Sequence, residues 1–142
     1  MQSADEWLGV LVSRSARALD RALDEALVAA GGSTPAWLVL QAVAAADRAT
    51  QVELARAVGI RQPTLTHHLD SLERAGFVTR HRDPADRRGQ RVAMTDEGGR
   101  LFLRLRRVAS SFDGRLRAGL DPSEAAELRR LLDLVVENSR PD

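Results

Sequence analysis

Residues 61–95 read RQPTLTHHLDSLERAGFVTRHRDPADRRGQRVAMT, and the fold turns on how this stretch is parsed. Leu65, Leu69 and Leu72 recur at i, i+4 and i+7, which puts them on one face of a helix. Pro63, Thr64, His67, Asp70, Ser71 and Arg74 take the opposite face, with Arg61, Gln62 and Thr66 near its start. The helix is expected to run to about Ala75, where Gly76 stops it. Two strand-like runs come next, Phe77–Arg82 and Gln90–Met94. Phe77, Val78 and Val92 anchor them inward, with polar residues between. The segment DPADRRG joins the runs as a charged tip. Asp83-Pro84 and Gly89 are turn formers, so Arg87 and Arg88 are expected to project from the turn.

Just upstream, Thr50-Gln51-Val52-Glu53 fits a capping box, with Thr50 as the cap and Glu53 reaching back. The helix it opens is short and ends at Gly59, with Leu54, Ala55 and Val58 inward. Gly59-Ile60-Arg61 is then a tight turn. Helix, tight turn, helix and two-stranded ribbon in this order are the layout of a winged helix-turn-helix. The second helix suits a DNA groove: Gln62, Thr64 and Thr66 place an amide and short hydroxyls near its start, flanked by Arg61, His67 and Arg74. Thr50, Gln51 and Pro63 belong to the same expected DNA-contacting set. A narrow minor groove attracts a guanidinium, which suits Arg87 and Arg88. Asp86 reads as orienting one of them through a charge-assisted hydrogen bond. Alone, this helix face reads equally well as an ordinary solvated one. Its place between the first helix and the ribbon favours the groove.

The flanking segments read as helices. Residues 5–30 carry Leu8, Val12, Leu19, Leu23, Ala26 and Ala30 at three- and four-residue spacing, and Gly31-Gly32 ends the run. Trp7 and Leu11 make a second apolar patch, so this helix is expected to touch both its own core and a partner chain. Thr34-Pro35 opens a helix to about Ala46, with Thr34 as its cap. Its apolar residues Trp37, Leu38, Leu40 and Val43 are expected to be buried. Trp37 is either a core tryptophan or the wall of a ligand cavity. Thr95-Asp96-Glu97 caps a long helix with Leu101, Leu105, Val108, Phe112 and Leu116 on one stripe, closed by Gly119. Its arginines, at 100, 104, 106, 107, 115 and 117, read as a solvated face. Asp121-Pro122-Ser123-Glu124 starts a last helix. There Ala125, Leu128, Leu132 and Val135 repeat at heptad-like spacing and need a partner surface. The fold class is therefore mainly α with a small two- to three-stranded antiparallel wing. Residues 1–33 form an N-terminal dimerisation helix, 34–95 the DNA-binding region, and 96–142 helices for core and dimerisation.

Net charge is only +1, but it is unevenly spread. Residues 61–91 hold seven arginines against four acids, whereas residues 1–30 and 121–142 are both acidic. All three histidines, His67, His68 and His81, fall in the basic middle. That points to a local polyanion site. With no cysteine there is no disulfide framework, thiolate metal site or cysteine redox switch. No apolar run approaches a membrane span, and MQSADEW lacks the basic-then-apolar pattern of a secretory signal. A cytoplasmic location without membrane partner is expected. No nucleophile–base pair, metal cluster or phosphate loop occurs at usable spacing, so neither an enzyme, a cofactor nor a metal is expected.

The chain resembles the MarR family of bacterial transcriptional regulators. The likeness spans Asp5 to about Asn138 and is most specific over Leu65–Gly98. Leu72-Glu73 with Gly76, then Asp83-Pro84, Asp86 with Arg88, and Thr95 with Gly98 match the family's pattern. The resemblance implies a homodimer built by the first and last helices, here through Trp7, Leu8, Leu11, Leu128, Leu132 and Val135. It implies a pseudo-palindromic double-stranded operator, Arg88 in the minor groove held by Asp86, and the helix from Gln62 in the major groove. It implies a repressor released by a small aromatic or anionic ligand, with Arg14 or Arg17 pairing an anion and Trp37 stacking on it. His67 stands where the family commonly has Arg, and His68 where an apolar residue is usual. Adjacent on a helix, the two point about 100° apart, which disfavours a chelate. A winged-helix module for protein–protein contact, without ligand response, is the competing reading.

Overall fold

The helix boundaries follow from local backbone chemistry. In this computed structural model, residues 7–141 are described, with the backbone alone at 86–88. The expected start of the first helix at Asp5 lies outside the described residues. α1 (Leu8–Ala29) ends where Gly31 turns left-handed, φ 94°. The N–H groups of Gly31 and Gly32 then satisfy the Val28 and Leu27 carbonyls, both at 3.0 Å. α2 (Thr34–Ala45) is capped by Ser33, not by Thr34. Ser33 is extended and its hydroxyl accepts from the Ala36 N–H at 3.1 Å. The Thr34 N–H donates instead to the Asp24 carboxylate of α1, at 2.8 Å.

α3 (Gln51–Val58) starts on the Thr50 hydroxyl, which accepts from the Glu53 N–H at 3.2 Å. Gly59, at φ 78°, ends it and makes the tight turn. α4 (Gln62–Arg74) closes as α1 does: Gly76 is at φ 82°, and the Phe77 N–H reaches the Leu72 carbonyl at 2.9 Å. β1 (Val78–Asp83) and β2 (Asp86–Met94) pair antiparallel, in register from Val78↔Met94 to Arg82↔Gln90. The last pair jumps to Asp83↔Asp86. The second strand thus begins at Asp86, not Gln90, and Arg87 and Arg88 lie within it rather than in the turn. The turn is shorter than its composition suggests because the Asp83 carboxylate accepts the Ala85 N–H at 2.9 Å and Pro84 presets its own φ. An isolated bridge, Thr50↔Arg91, adds a rudimentary third strand, with the Val92 N–H on the Ala49 carbonyl at 3.0 Å.

Leu65 and Leu69 are fully buried and Leu72 nearly so, as their spacing requires. They pack in one core with Leu27, Val39, Leu40, Leu54, Val78, Val92, Leu101 and Leu105. One expectation needs correction. Leu38 is 40% exposed while Val39 is buried, since α2 is too uniformly apolar for its sequence to reveal the inward face. α1 meets this core through Leu27, with Leu23 and Ala30 packed against it, and leaves Leu8 and Leu19 exposed.

The chain divides into two compact units, Met1–Ala109 and Ser110–Asp142, with the cut inside α5 (Asp96–Leu116). In the second unit, α6 (Pro122–Asn138) begins with a full capping box between Asp121 and Glu124. The Ser123 hydroxyl and then the Glu124 N–H hold the Asp121 carboxyl down to about 2. α6 leaves Leu128, Leu131, Leu132 and Leu134 exposed. Leu116, Leu120, Ala125, Leu128 and Leu132 line an open groove of about 640 Å³.

Candidate nucleic-acid interface

With its leucines turned inward, α4 presents Arg61, Gln62, Pro63, Thr64 and His67 to solvent at its N-terminal half, and Ser71 and Arg74 farther on. The Thr66 hydroxyl is turned back onto the Gln62 carbonyl at 3.0 Å. The Arg74 Nε rests on the Asp70 carbonyl at 3.3 Å. Arg61, Gln62, Pro63, Thr64 and His67 are the side chains left at the surface of the first turns. Thr50 and Gln51 stand at the head of α3, half-buried. The Thr50 hydroxyl is occupied as a cap, and the Gln51 amide donates to the Gln90 side chain of β2 at 2.8 Å.

The ribbon is fastened to this surface by two arginines. Arg80 of β1 donates to Asp70 at 2.6 Å and to Glu73 at 3.1 Å, both on α4. Its own N–H also reaches Glu73, at 3.1 Å. The Arg80 guanidinium holds the Glu73 carboxyl below the usual carboxylate range, and Glu73 in turn raises Arg80. An acid on the exposed side of α4 is thereby committed to the ribbon. Arg91 of β2 donates to Asp83 at 2.8 and 3.0 Å, and to the Arg48 carbonyl at 2.8 Å. Arg48 is a non-glycine residue at φ 53°, in the link between α2 and α3. Sequence reasoning missed Arg91, Asp83 and Gln90. The available signal was strand alternation, which puts Arg91 and Asp83 on one ribbon face, but ending the first strand at Arg82 left Asp83 in the turn and concealed it. The side chains of Asp86, Arg87 and Arg88, expected in the minor groove, lie outside the described residues.

His67 is exposed and His68 half-buried, their rings 5.8 Å apart. Burial, and then the neighbouring His67, pushes the His68 imidazole below its ordinary value. The expected ligand residues lie on α1 and α2. Trp37 is 9% exposed and stacks on Phe102, ring centroids 5.7 Å apart. Arg14 and Arg17 are exposed along α1. Of the expected dimer residues, Trp7, Leu8, Leu128 and Leu132 are exposed, whereas Leu11 and Val135 are half-buried.

The sequence matches the model of the MarR family over residues 33–89. Transcriptional regulator PA3341 is 34% identical, with a TM-score of 0.78 over 93% of this chain and 97% of that one. The PcaV transcriptional regulator from Streptomyces coelicolor, solved with its natural ligand, is 27% identical, with a TM-score of 0.85 over 99% of this chain and 100% of that one. A MarR variant from E. coli complexed with operator DNA is 29% identical, with a TM-score of 0.83 over 90% of this chain and 92% of that one. Motifs, fold and relatives agree: the chain is a winged helix protein that belongs to the MarR family of transcriptional regulators.

Proposed function

We propose that the protein is a sequence-specific, homodimeric repressor of transcription that binds a pseudo-palindromic duplex and lets go when a small molecule binds. The observation that carries this is the polar face of α4, held by buried leucines and standing beside a ribbon that bears Arg87 and Arg88. In this reading Gln62, Thr64 and His67 meet base edges in the major groove, and Arg61, Thr66, Arg74, Thr50 and Gln51 flank them at the backbone. Arg88, oriented by Asp86, enters the minor groove, with Arg87 beside it. Residues 34–95 serve the duplex, and residues 1–33 and 96–142 join two copies. The operator complex of the E. coli relative supports the DNA assignment.

The exposed leucines of α6, with Trp7 and Leu8 of α1, are the surfaces that a second copy covers. The ligand-bound relative from Streptomyces supports small-molecule release. Arg14 and Arg17 are the cations for an anionic ligand, and Trp37 its aromatic wall. The test is binding to the duplex flanking the protein's own gene, titrated with salt. Arg88→Ala is expected to weaken binding across operators and to lower the salt slope by about one. Gln62→Ala is expected to cost about 1–3 kcal/mol at a single base position. Duplex binding that ignores salt, and is unchanged in both variants, sinks the assignment.

A further inference from the structure

The ribbon's regular pairing stops at Arg82↔Gln90, and the tip beyond it is joined through one irregular step. Such a step bends a strand and re-aims the residues beyond the bend. Left to the ladder alone, the tip's angle would be loosely set. Among the described residues, one side chain spans the step. Arg91 sits on the regular side, opposite His81, and its Nε and Nη2 both hold the Asp83 Oδ2 on the far side, at 3.0 and 2.8 Å. The other Asp83 oxygen closes the tip through the Ala85 N–H. The remaining Arg91 nitrogen, Nη1, reaches the Arg48 carbonyl at 2.8 Å, just ahead of the Ala49–Thr50 segment that leads into α3. Arg48 keeps a left-handed backbone there, at φ 53°, a conformation that costs a non-glycine residue energy and needs surrounding support. A planar guanidinium with several fixed donors can join these acceptors; an ammonium is a compact point charge.

We propose that Arg91 is a positioning residue that sets the angle of the ribbon tip and locks it to the helix-turn-helix, so that both meet the duplex as one rigid body. The assignment rests on the DNA-binding reading above. It opposes simple electrostatics in one respect. Asp83→Asn removes a negative charge near a polyanion, so charge alone would tighten binding. The Asn oxygen still accepts from Ala85, but the ionic hold on Arg91 is gone, so the positioning role requires weaker binding.

Operator affinity, hydroxyl-radical protection and thermal midpoint are to be measured for wild type, Asp83→Asn, Arg91→Lys and Arg91→Ala. The expected result is a loss of about tenfold in affinity for Asp83→Asn and Arg91→Lys alike, the scale of one charge-assisted hydrogen bond. Protection at the outer minor-groove sites is expected to fade while the major-groove protection stays. Asp83→Asn that binds as well as wild type or better overturns the proposal. So does Arg91→Lys with a wild-type footprint, and so does a lowered thermal midpoint with the footprint retained. A wild-type protein that binds no duplex sinks the DNA-binding reading itself, together with this one, before any substitution is compared.

Discussion

His67 and His68 are adjacent residues with opposite environments, and that contrast has a measurable consequence. His67 is exposed on the outer side of α4, while His68 is half-buried and its imidazole is shifted down, first by burial and then by His67. A folded value below the unfolded one means that the neutral ring is favoured by folding. The stability it contributes is complete above the ordinary imidazole value near pH 6.5 and is lost as pH falls through the folded value. The thermal midpoint of wild type is therefore expected to drop on acidification below about pH 6.5 more than that of His68→Leu. Parallel pH dependence in the two proteins would falsify this. In sequence, the helical angle of His68 lies between the leucine stripe and the polar face. What it faces is decided by the neighbouring elements, and these are remote in sequence.

Among the elements, the entry into α5 is tightly constrained. Gly98 is buried, and a Cβ there would overlap the Phe77 carbonyl oxygen as well as crowd Met94. Gly99 has open space at the same point of the next residue. Gly98→Ala is expected to destabilise by about 3 kcal/mol, since the obstacle is backbone and cannot rotate away. Gly99→Ala is expected to stabilise by up to about 1 kcal/mol through helix propensity. Chemical denaturation of both variants checks the pair, and equal midpoints would remove the close approach. Where a glycine or a cap acts within a few residues, as at Gly31, Gly59, Gly76 and Asp121, its role was legible in the sequence. The groups that act across elements were not. The Thr34 N–H on Asp24, Arg80 on α4 and Arg91 on the Arg48 carbonyl join residues that local patterns never bring together. The candidate DNA surface was therefore readable on α4, whereas the means of holding the ribbon beside it was not.

At the scale of the molecule, α6 bears four exposed leucines on a helix with no buried residue. Covering them with a second copy removes apolar area from water. Leu128→Arg with Leu132→Arg is expected to give monomers by sedimentation, with folded helix content retained. Operator affinity is then expected to fall about a hundredfold or more, because the second half-site is no longer bound intramolecularly. A dimer that survives both charges would place the association elsewhere. One small group ties α4 to α5. The Thr95 hydroxyl donates to the Gly76 carbonyl at the tail of α4, at 2.6 Å, and accepts from the Gly98 N–H at the head of α5, at 3.0 Å. The Thr95 N–H adds the Phe77 carbonyl, at 3.1 Å. α4 therefore cannot swivel without carrying the root of α5. Thr95 is thus a pin that fastens the tail of α4 to the head of α5.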